Sequence, residues 1–366
     1  MMTGDELLRL WQVGIHAVGG AVAVNEALER HKIARPDLIL AVGKAATAMA
    51  QAACAAWPDV DCLIVTKYGH ANGAPASATV LEAAHPVPDA ASLAAGLALQ
   101  QAVADCGRQD HLLMLVSGGA SALAEVPISG LNLAELQRQT NALLASGADI
   151  GKMNIHRTQN SQIKGGKLLA KFGGTMVTTL ALSDVEGDAL ATIGSGIADA
   201  PDSANFDFSA HVVASNAIAR DAVAAASPLP VQMNSENLYE DIATLGPKIA
   251  GYLKSAASGV HIMGGEPVVH LPENPGKGGR NMALALTLAR EIAGVEGLRI
   301  LVAGSDGTDG PTDAAGAIVD GTTWQPDAAT ALGAANAYPW LKGNDALVTT
   351  GPTGTNVMDI LIAHKS

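Results

Sequence analysis

One pattern repeats along this chain and limits the folds it can adopt: a short apolar run rich in β-formers, a Gly/Ser/Asp-rich loop, and then a helical pattern. The pattern occurs at 38–56, 112–123, 176–188, 299–310 and 346–362. Strands that alternate with helical segments, such as those expected at 89–105 and 281–293, predict βαβ units and a mainly parallel sheet with helices on both faces. Ligands of such sheets bind at the carboxyl ends of the strands, where these polar loops fall.

The chain is long enough for two domains. Its 366 residues exceed the ~250–300 at which one hydrophobic core usually stops growing. The pattern restarts at 259–269, after a segment rich in loop formers at 226–238. We therefore expect an N-terminal domain at 1–240 and a C-terminal domain at 241–366.

Composition and charge exclude several classes of function. Lys and Arg number 22 against 35 Asp and Glu, and the net charge of −13 opposes broad attraction to nucleic acid or to an anionic membrane. Three cysteines without C-x-x-C spacing predict free thiols. Asp5 and Glu6 lie where a signal peptide would carry positive charge, and no apolar run reaches the ~18 residues of a transmembrane helix. We expect a cytoplasmic protein that acts on a small molecule.

Two glycine-containing turns after apolar runs are candidate anion sites. In V-G-K-A-A, Gly43 permits a tight turn and Lys44 lies at a helix start, where backbone N–H groups already favour a phosphate or carboxylate. The S-G-G-A-S turn at 117–121 has small side chains, so its N–H groups can approach oxyanions. A solvated lysine and an ordinary turn are the alternative interpretations.

Two further segments concentrate cations in an otherwise acidic chain. One places Arg157, Lys164 and Lys167 within eleven residues, and the other, G-K-G-G-R-N, surrounds Lys277 with glycines and leads to Arg280 at a predicted helix start. An ammonium, a planar guanidinium and several N–H donors suit phosphate oxygens. Surface solvation is the alternative for the first segment, and a flexible hairpin loop is the alternative for the second.

Carboxylates follow two of the apolar runs. Asp184 directly follows a strand-like segment, where it can cap a helix, hold Mg²⁺ or accept the proton of a substrate hydroxyl. A later loop contains Asp306, Asp309 and Asp313, whose spacing differs from that of an EF-hand. A metal site, a turn that uses the carboxylates for its own backbone and a solvated surface loop are all possible for this segment, and Asp313, one residue after Thr312, is expected to cap a helix.

Several well-known site patterns are missing from the sequence. It contains no Walker A loop, no G-x-S-x-G elbow and no H-E-x-x-H pair. No strand-like run is followed by G-x-G-x-x-G with a later acidic residue, which argues against NAD(P). The ten histidines, including His85 and His156, are expected to be mostly structural or exposed.

The motifs resemble, in their order along the chain, those of the glycerate 2-kinases of the MOFRL family, some of which carry the older label of hydroxypyruvate reductase. They are V-G-K-A-A, H-P-V-P-D, S-G-G-A-S-A-L, I-K-G-G-K-L-L-A, L-S-D-V-E-G-D, G-K-G-G-R-N, G-T-D-G-P-T-D-A-A-G-A and T-G-P-T-G-T-N-V-M-D. The resemblance implies two three-layer α/β/α domains with mainly parallel sheets and an active site in the interdomain cleft. It also implies phosphorylation of D-glycerate at the 2-hydroxyl with ATP and Mg²⁺.

The resemblance also implies roles for individual residues. It aligns the family's active-site lysine with Lys44, its S-D-V aspartate with Asp184 and its G-G-R-N arginine with Arg280, which we expect to be catalytic. Asp306 and Asp309 are the expected Mg²⁺ residues. The expected substrate- or nucleotide-binding residues are Ser117, Gly118, Gly119, Ala120, Ser121, Arg157, Lys164, Glu266, Lys277, Gly278, Gly279, Asn281, Thr355 and Asn356, with Arg157 and Lys164 assigned to the substrate carboxylate.

The chain departs from the family's usual motifs at Thr158, Gln159, Asn160, Ile197 and Pro267. These departures leave the preferred hydroxy acid less determined than the reaction type. Two alternatives stay open: an NAD(P)H-dependent hydroxypyruvate reductase, and a non-catalytic protein that binds a phosphorylated metabolite. No nucleic acid or membrane partner is expected, and a homodimer is compatible with the sequence.

Overall fold

The computed structural model describes residues 2–145 and 150–366, which form two compact units. The parallel-sheet unit comprises Gly19–Ser215 and Gly354–Asn356. The mixed-sheet unit comprises the residues up to Val18, Asn216–Thr353 and Val357–Ser366. Each unit is built on a six-stranded sheet.

The parallel-sheet unit has the βαβ organisation that the repeated pattern predicts. Its strands are all parallel in the order β3-β2-β1-β4-β5-β6. Its elements are α2 (Gly20–Arg30), β1 (Leu38–Val42), α3 (Ala46–Ala56), β2 (Asp61–Lys67), β3 (Thr79–Ala83), α4 (Ala90–Ala104), β4 (His111–Val116), α5 (Ala120–Leu123), α6 (Leu133–Ala145), α7 (Ile150–Gln159), β5 (Met176–Leu182) and β6 (Asp207–Ala214), with 3-10 turns at Leu169–Lys171, Glu186–Asp188 and Ile193–Gly196. Helix α3 contacts β1, β2 and α2, whereas α4 contacts β3 and α5.

Both faces of the parallel sheet are buried. Because successive strand residues point to opposite faces, Leu40 and Val42 join Leu99 of α4 in one core cluster, while Ile39 and Ala41 are buried outside that cluster. Burial on both faces explains why β1 and β4 have continuous apolar sequences rather than alternating ones. The carboxyl ends of these central strands then carry the polar loops.

The mixed-sheet unit has the strand order β11-β10-β9-β12-β8-β7. Its elements are α1 (Gly4–Ala17), α8 (Asn216–Ala226), β7 (Val231–Glu236), α9 (Ile242–Ser255), β8 (Gly259–Gly265), α10 (Arg280–Glu291), β9 (Leu298–Gly304), β10 (Gly316–Asp320), α11 (Ala328–Gly333), α12 (Ala337–Gly343), β11 (Leu347–Val348) and β12 (Asp359–Lys365). Helices α1 and α8 contact each other and the sheet, and α9 and α10 form another contacting pair.

The α/β class is confirmed, but the expectation of mainly parallel sheets holds only for the first unit. In the mixed sheet, β12 lies antiparallel between β8 and β9, and β10 is antiparallel to β9 and β11. Among the strand pairs described in this unit, β7–β8 alone is parallel. The final strand of the chain therefore enters the middle of the sheet, which the local apolar pattern does not reveal.

The division between the units differs from the expected boundary at 240/241. Residues 216–240 belong to the mixed-sheet unit, because β7 pairs with β8 and α8 contacts α1. The segment Gly354–Asn356 belongs to the parallel-sheet unit. Contacts between residues that are far apart in the sequence therefore determine which unit each segment belongs to.

The two helices expected at 89–105 and 281–293 correspond to α4 and α10. Asp89 caps the start of α4, because its carboxylate accepts the N–H of Ser92 at 2.9 Å and so satisfies one of the free donors of the first turn. Within the described part of the chain no single helix is long and apolar enough to cross a membrane, and one consecutive pair, α1 and α2, reaches that length and composition only together.

Gly246 and Gly251 provide a test of the packing of α9. A Cβ at Gly246 would lie 2.5 Å from Cγ2 of the buried Thr287 on α10, whereas nothing lies within 4 Å of a Cβ at Gly251. We expect Gly246→Ala to lower the free energy of unfolding by about 1–3 kcal/mol, since the helices must separate and a Cβ before Pro247 disfavours helical backbone.

We expect Gly251→Ala, in the same helix, to raise the free energy of unfolding by up to ~1 kcal/mol, because alanine favours the helix. Urea unfolding of both variants measures the difference. Equal changes in the two variants would contradict this packing of α9 against α10.

Candidate active site

Two backbone turns meet at the carboxyl ends of the neighbouring strands β1 and β4. Gly43 has a φ of +132°, and a Cβ there would lie 2.1 Å from Oγ of Ser117. The N–H of Lys44 donates to the carbonyl of Gly118 at 2.9 Å, and the N–H of Ala45 donates to Oγ of Ser117 at 3.1 Å. These contacts hold Lys44 beside the turn that follows β4.

Three polar side chains lie around that turn. A Cβ at Gly118 would lie 1.8 Å from Oδ2 of Asp184. A Cβ at Gly119, whose φ is +86°, would lie 3.1 Å from Cγ of Lys44 and 3.2 Å from Cδ2 of His85. Glycine is therefore required at both positions, and the Asp184 carboxylate, the stem of the Lys44 side chain and the His85 imidazole lie around one short stretch of backbone.

The small side chains of the turn are not exposed to a ligand. Ser117 and Ala120 are fully buried, and Oγ of Ser121 forms a 2.7 Å hydrogen bond with Oγ of Ser195. Oγ of Ser195 donates in turn to Oδ1 of Asn154 on α7 at 2.8 Å. The serines therefore fix the turn, and only its backbone could contact a substrate.

Asp184 follows β5 and is half-buried. Nδ2 of Asn356 donates to Oδ2 of Asp184 at 3.3 Å, and Thr355 beside it is buried. The expected binding residues Thr355 and Asn356 therefore lie in the same unit as Asp184, although they are 171 and 172 positions further along the chain.

Arg157 on α7 adds a cation to this unit. Burial lowers the pKa of its guanidinium, while the charges of Glu125 and Asp184 act in the opposite direction. Within residues 2–145 and 150–366, neither Arg157 nor Lys44 forms an ion pair or a hydrogen bond through its side chain. Both charges are thus available to an anionic ligand.

Lys164 has a structural role instead. Its ammonium and the carboxylate of Glu125 form an ion pair with side-chain exposures of 1% and 2%. Burial lowers the pKa of Lys164, and Glu125 opposes this effect. Because the ammonium is buried as well as paired, Lys164 stabilises the interior of this unit, and its binding of the substrate carboxylate stays a prediction.

His85, which we expected to be structural or exposed, lies at the candidate site. Burial and the positive charges of Lys44, Lys67 and Arg157 lower the pKa of His85 to about 3, so the imidazole is neutral at neutral pH. Among the described residues, neither ring nitrogen has a hydrogen-bond partner. In the sequence, the H-P-V-P-D motif after β3 was the signal that could have placed His85 at this site.

In the mixed-sheet unit, Arg280 begins α10 and is held by two carboxylates. Its Nε donates to Oδ2 of Asp359 at 2.6 Å and its Nη2 to Oδ1 at 3.3 Å, while Nη1 donates to Oε1 of Glu266 at 2.5 Å. Burial disfavours the charge, but Asp359 and Glu266 outweigh burial and raise the pKa of Arg280. Asp359, which the sequence analysis did not single out, is 2% exposed, whereas the Arg280 side chain is 33% exposed.

The loop before Arg280 is fixed by contacts with helix α12 and with the residues that directly precede α12. The N–H of Lys277 donates to Oδ1 of Asn336 at 2.9 Å, and Nζ of Lys277 lies 4.1 Å from the centre of the Tyr338 ring. A Cβ at Gly278 would lie 3.2 Å from the backbone nitrogen of Ala337. Lys277 is exposed to solvent, and these contacts hold its ammonium close to the Tyr338 ring.

Asp309 caps α10. Its Oδ1 accepts the N–H of Asn281 at 3.1 Å, its Oδ2 accepts the N–H of Met282 at 2.8 Å, and a Cβ at Gly279 would lie 2.2 Å from its Cγ. Burial raises the pKa of Asp309 to about 7. Asp309 is 3% exposed and each of its oxygens accepts a backbone N–H, so its carboxylate holds the start of α10, and support of Mg²⁺ by Asp309 stays a prediction. Asn281 is buried and donates to Asp359 at 2.9 Å.

The other two aspartates of this loop have different surroundings. Oδ1 of Asp306 accepts the N–H and the hydroxyl of Thr308, each at 2.9 Å, and its second oxygen has no hydrogen-bond partner in the described part of the chain. Asp313 accepts the hydroxyl of Tyr338 at 2.6 Å and precedes β10, so the expectation that it caps a helix is wrong. Among the described residues, no three His, Cys, Asp or Glu side chains form a metal-binding group.

Comparisons with known proteins agree with this architecture. Residues 6–229 match the domain of unknown function DUF4147, and residues 259–359 match the MOFRL family. The D-glycerate 2-kinase of Thermotoga maritima is 36% identical over 95% of this chain and 95% of that protein. A putative hydroxypyruvate reductase of Agrobacterium vitis is 36% identical over 88% of this chain and 97% of that protein.

A solved structure extends the likeness to the fold. The crystal structure of a glycerate kinase from Thermotoga maritima superposes with a TM-score of 0.88 at 34% identity, and the match covers 98% of each chain. The order of the motifs, the two sheets and these matches lead to one assignment. The chain belongs to the MOFRL family of glycerate 2-kinases.

Proposed function

We propose that this chain transfers the γ-phosphoryl group of ATP to the 2-hydroxyl of D-glycerate, giving 2-phosphoglycerate and ADP. The observation that carries the proposal is the turn at Gly118 and Gly119, with the Asp184 carboxylate against Gly118 and the Lys44 side chain against Gly119. A phosphotransferase needs an acceptor for the hydroxyl proton and a cation for the developing charge, close to each other. The kinase names of the similar proteins support the same reaction.

In the parallel-sheet unit, we assign glycerate binding to Asp184, Lys44 and Arg157. Asp184 orients the 2-hydroxyl and accepts its proton, because a half-buried carboxylate accepts hydrogen bonds and donates none. Arg157 binds the glycerate carboxylate, for which a planar guanidinium has matching geometry. Lys44 neutralises charge on the transferred phosphoryl group.

In the mixed-sheet unit, we assign phosphate binding to Arg280 and Lys277. The hydrogen bonds that Arg280 donates to Asp359 and Glu266 fix its guanidinium, so the exposed part of the guanidinium can meet an oxyanion with little reorganisation. Lys277 contributes an exposed ammonium beside that segment.

Mg²⁺ fits this unit through a single carboxylate. Asp306 is partly exposed and keeps one oxygen without a hydrogen bond among the described residues. Asp309, in contrast, is buried, and each of its oxygens accepts a backbone N–H. When bound with ATP, Mg²⁺ draws negative charge from the phosphoryl oxygens, and it commonly takes one or two protein carboxylates with water and phosphate as its other ligands. Asp306 is the residue that would hold it.

The name of the Agrobacterium vitis relative suggests hydroxypyruvate reduction as a second function. A nicotinamide dinucleotide normally requires a glycine-rich fingerprint between a strand and a helix. The turns after β1 and β4 read V-G-K-A-A and S-G-G-A-S, and Lys44 and Asp184 are the groups beside them. These groups favour phosphoryl transfer over hydride transfer.

Replacement of the proposed base tests the assignment in the parallel-sheet unit. Asp184→Asn keeps the size of the side chain but removes its proton-accepting capacity, so we expect kcat to fall by about 10²–10⁴ with a smaller change in KM. The matched control is Glu186→Gln, an exposed carboxylate of the same loop, which should leave kcat almost unchanged. A coupled assay of ADP release measures both; similar activity in the two variants would exclude Asp184 as the base.

Replacement of Arg280 tests the mixed-sheet unit. Arg280→Lys keeps the charge but loses the paired contacts to Asp359, and we expect kcat/KM for ATP to fall at least ~10-fold, since a charge-assisted hydrogen bond contributes about 1.5–3 kcal/mol. Arg290→Lys alters an exposed arginine of the same helix and should change kcat/KM by no more than about 2-fold. Steady-state kinetics at varied ATP compares them, and equal losses would contradict the role of Arg280.

A further inference from the structure

His85 lies beside the proposed glycerate site but has no role in the reaction described above. Its Nε2 lies 3.4 Å and its Cδ2 lies 3.2 Å from the position of a Cβ at Gly119, so the Nε2 edge of the ring faces the turn. Oδ2 of Asp184 lies 1.8 Å from the position of a Cβ at the preceding Gly118. Because consecutive Cα atoms are about 3.8 Å apart, the imidazole and the carboxylate lie within about 10 Å of each other, a span that one small acid can bridge with a hydrogen bond at each end.

The loop that carries His85 is held at both ends. The N–H of Ala84 donates to Oδ1 of Asp89 at 3.5 Å, and that carboxylate also caps α4 through Ser92. The carbonyl of Pro88 accepts Nε2 of Gln137 at 2.8 Å. The backbone of His85 therefore belongs to a short segment fixed to two helices, which holds the residue beside the turn.

The hydrogen-bonding capacity of His85 differs from that of its neighbours. Lys44 and Arg157 can only donate hydrogen bonds, and ionised Asp184 can only accept them. The imidazole is half-buried and neutral, with one nitrogen that donates and one that accepts. No described residue bonds to either nitrogen, so the ring has capacity left for a ligand.

Glycerate has one group that the proposed catalytic residues do not use. Its carboxylate matches Arg157, and its 2-hydroxyl matches Asp184. Its 3-hydroxyl both donates and accepts a hydrogen bond, which suits a neutral imidazole better than a cation or a carboxylate.

We propose that His85 binds the 3-hydroxyl of glycerate and makes the site selective for 2,3-dihydroxy acids over 2-hydroxy acids. This inference rests on the proposed function. By holding the 3-hydroxyl beside Gly119, while Asp184 lies against Gly118, His85 also leaves the 2-hydroxyl as the group presented to the base. His85 is then a specificity-determining residue.

The test compares D-glycerate with D-lactate, which lacks the 3-hydroxyl, in the wild type and in His85→Phe. Phenylalanine keeps the ring and removes the hydrogen bond. We expect kcat/KM for D-glycerate to fall about 10-fold or more, and kcat/KM for D-lactate, or its inhibition constant where turnover is slow, to stay within about 3-fold. KM for ATP should stay unchanged in both proteins.

Two further variants complete the test. His85→Gln restores a neutral donor and acceptor and should recover part of the selectivity, while His211→Gln, a histidine of the same unit stacked on His31, should leave it unchanged. Equal losses for both acids in His85→Phe, or unchanged selectivity, would overturn the role of His85. Lack of glycerate phosphorylation by the wild type would instead refute the proposed function itself.

Discussion

The close packing of the turns after β1 and β4 is the constraint on which the parallel-sheet site depends. Gly43 touches Ser117 so closely that no Cβ fits, and the N–H groups of Lys44 and Ala45 bond to the facing turn. Buried backbone groups require such partners, so the two turns fix each other. The site depends on this packing because Asp184 lies against Gly118 of the second turn, and Lys44 and His85 lie against Gly119.

In the mixed-sheet unit, an ion pair holds the cation, Arg280, in place. A buried carboxylate, Asp359 at the start of β12, anchors the guanidinium of Arg280 at the start of α10. Removing the arginine would leave that carboxylate buried and unpaired, a cost of about 3–5 kcal/mol in comparable cases. The same bonds that stabilise the unit therefore hold the exposed edge of Arg280 in one orientation. Its neighbour Asp309 completes the helix start by accepting two backbone N–H groups.

The sequence predicted features that depend on local pattern. It predicted the α/β class, helices α4 and α10, and the loops that contain Lys44 and Asp184, because apolar runs and glycine turns are local signals. It did not predict contacts between distant residues. The antiparallel entry of β12, the pairing of Lys164 with Glu125 and the approach of His85 to Gly119 all depend on tertiary structure.

The most direct measurement of the central claim is identification of the product by ³¹P NMR after incubation of the full chain with D-glycerate, ATP and Mg²⁺. The account predicts 2-phosphoglycerate and an equal amount of ADP. Formation of 3-phosphoglycerate would contradict the assignment of the 2-hydroxyl to Asp184. No phosphorylated product, together with turnover of hydroxypyruvate and NAD(P)H, would contradict the kinase function.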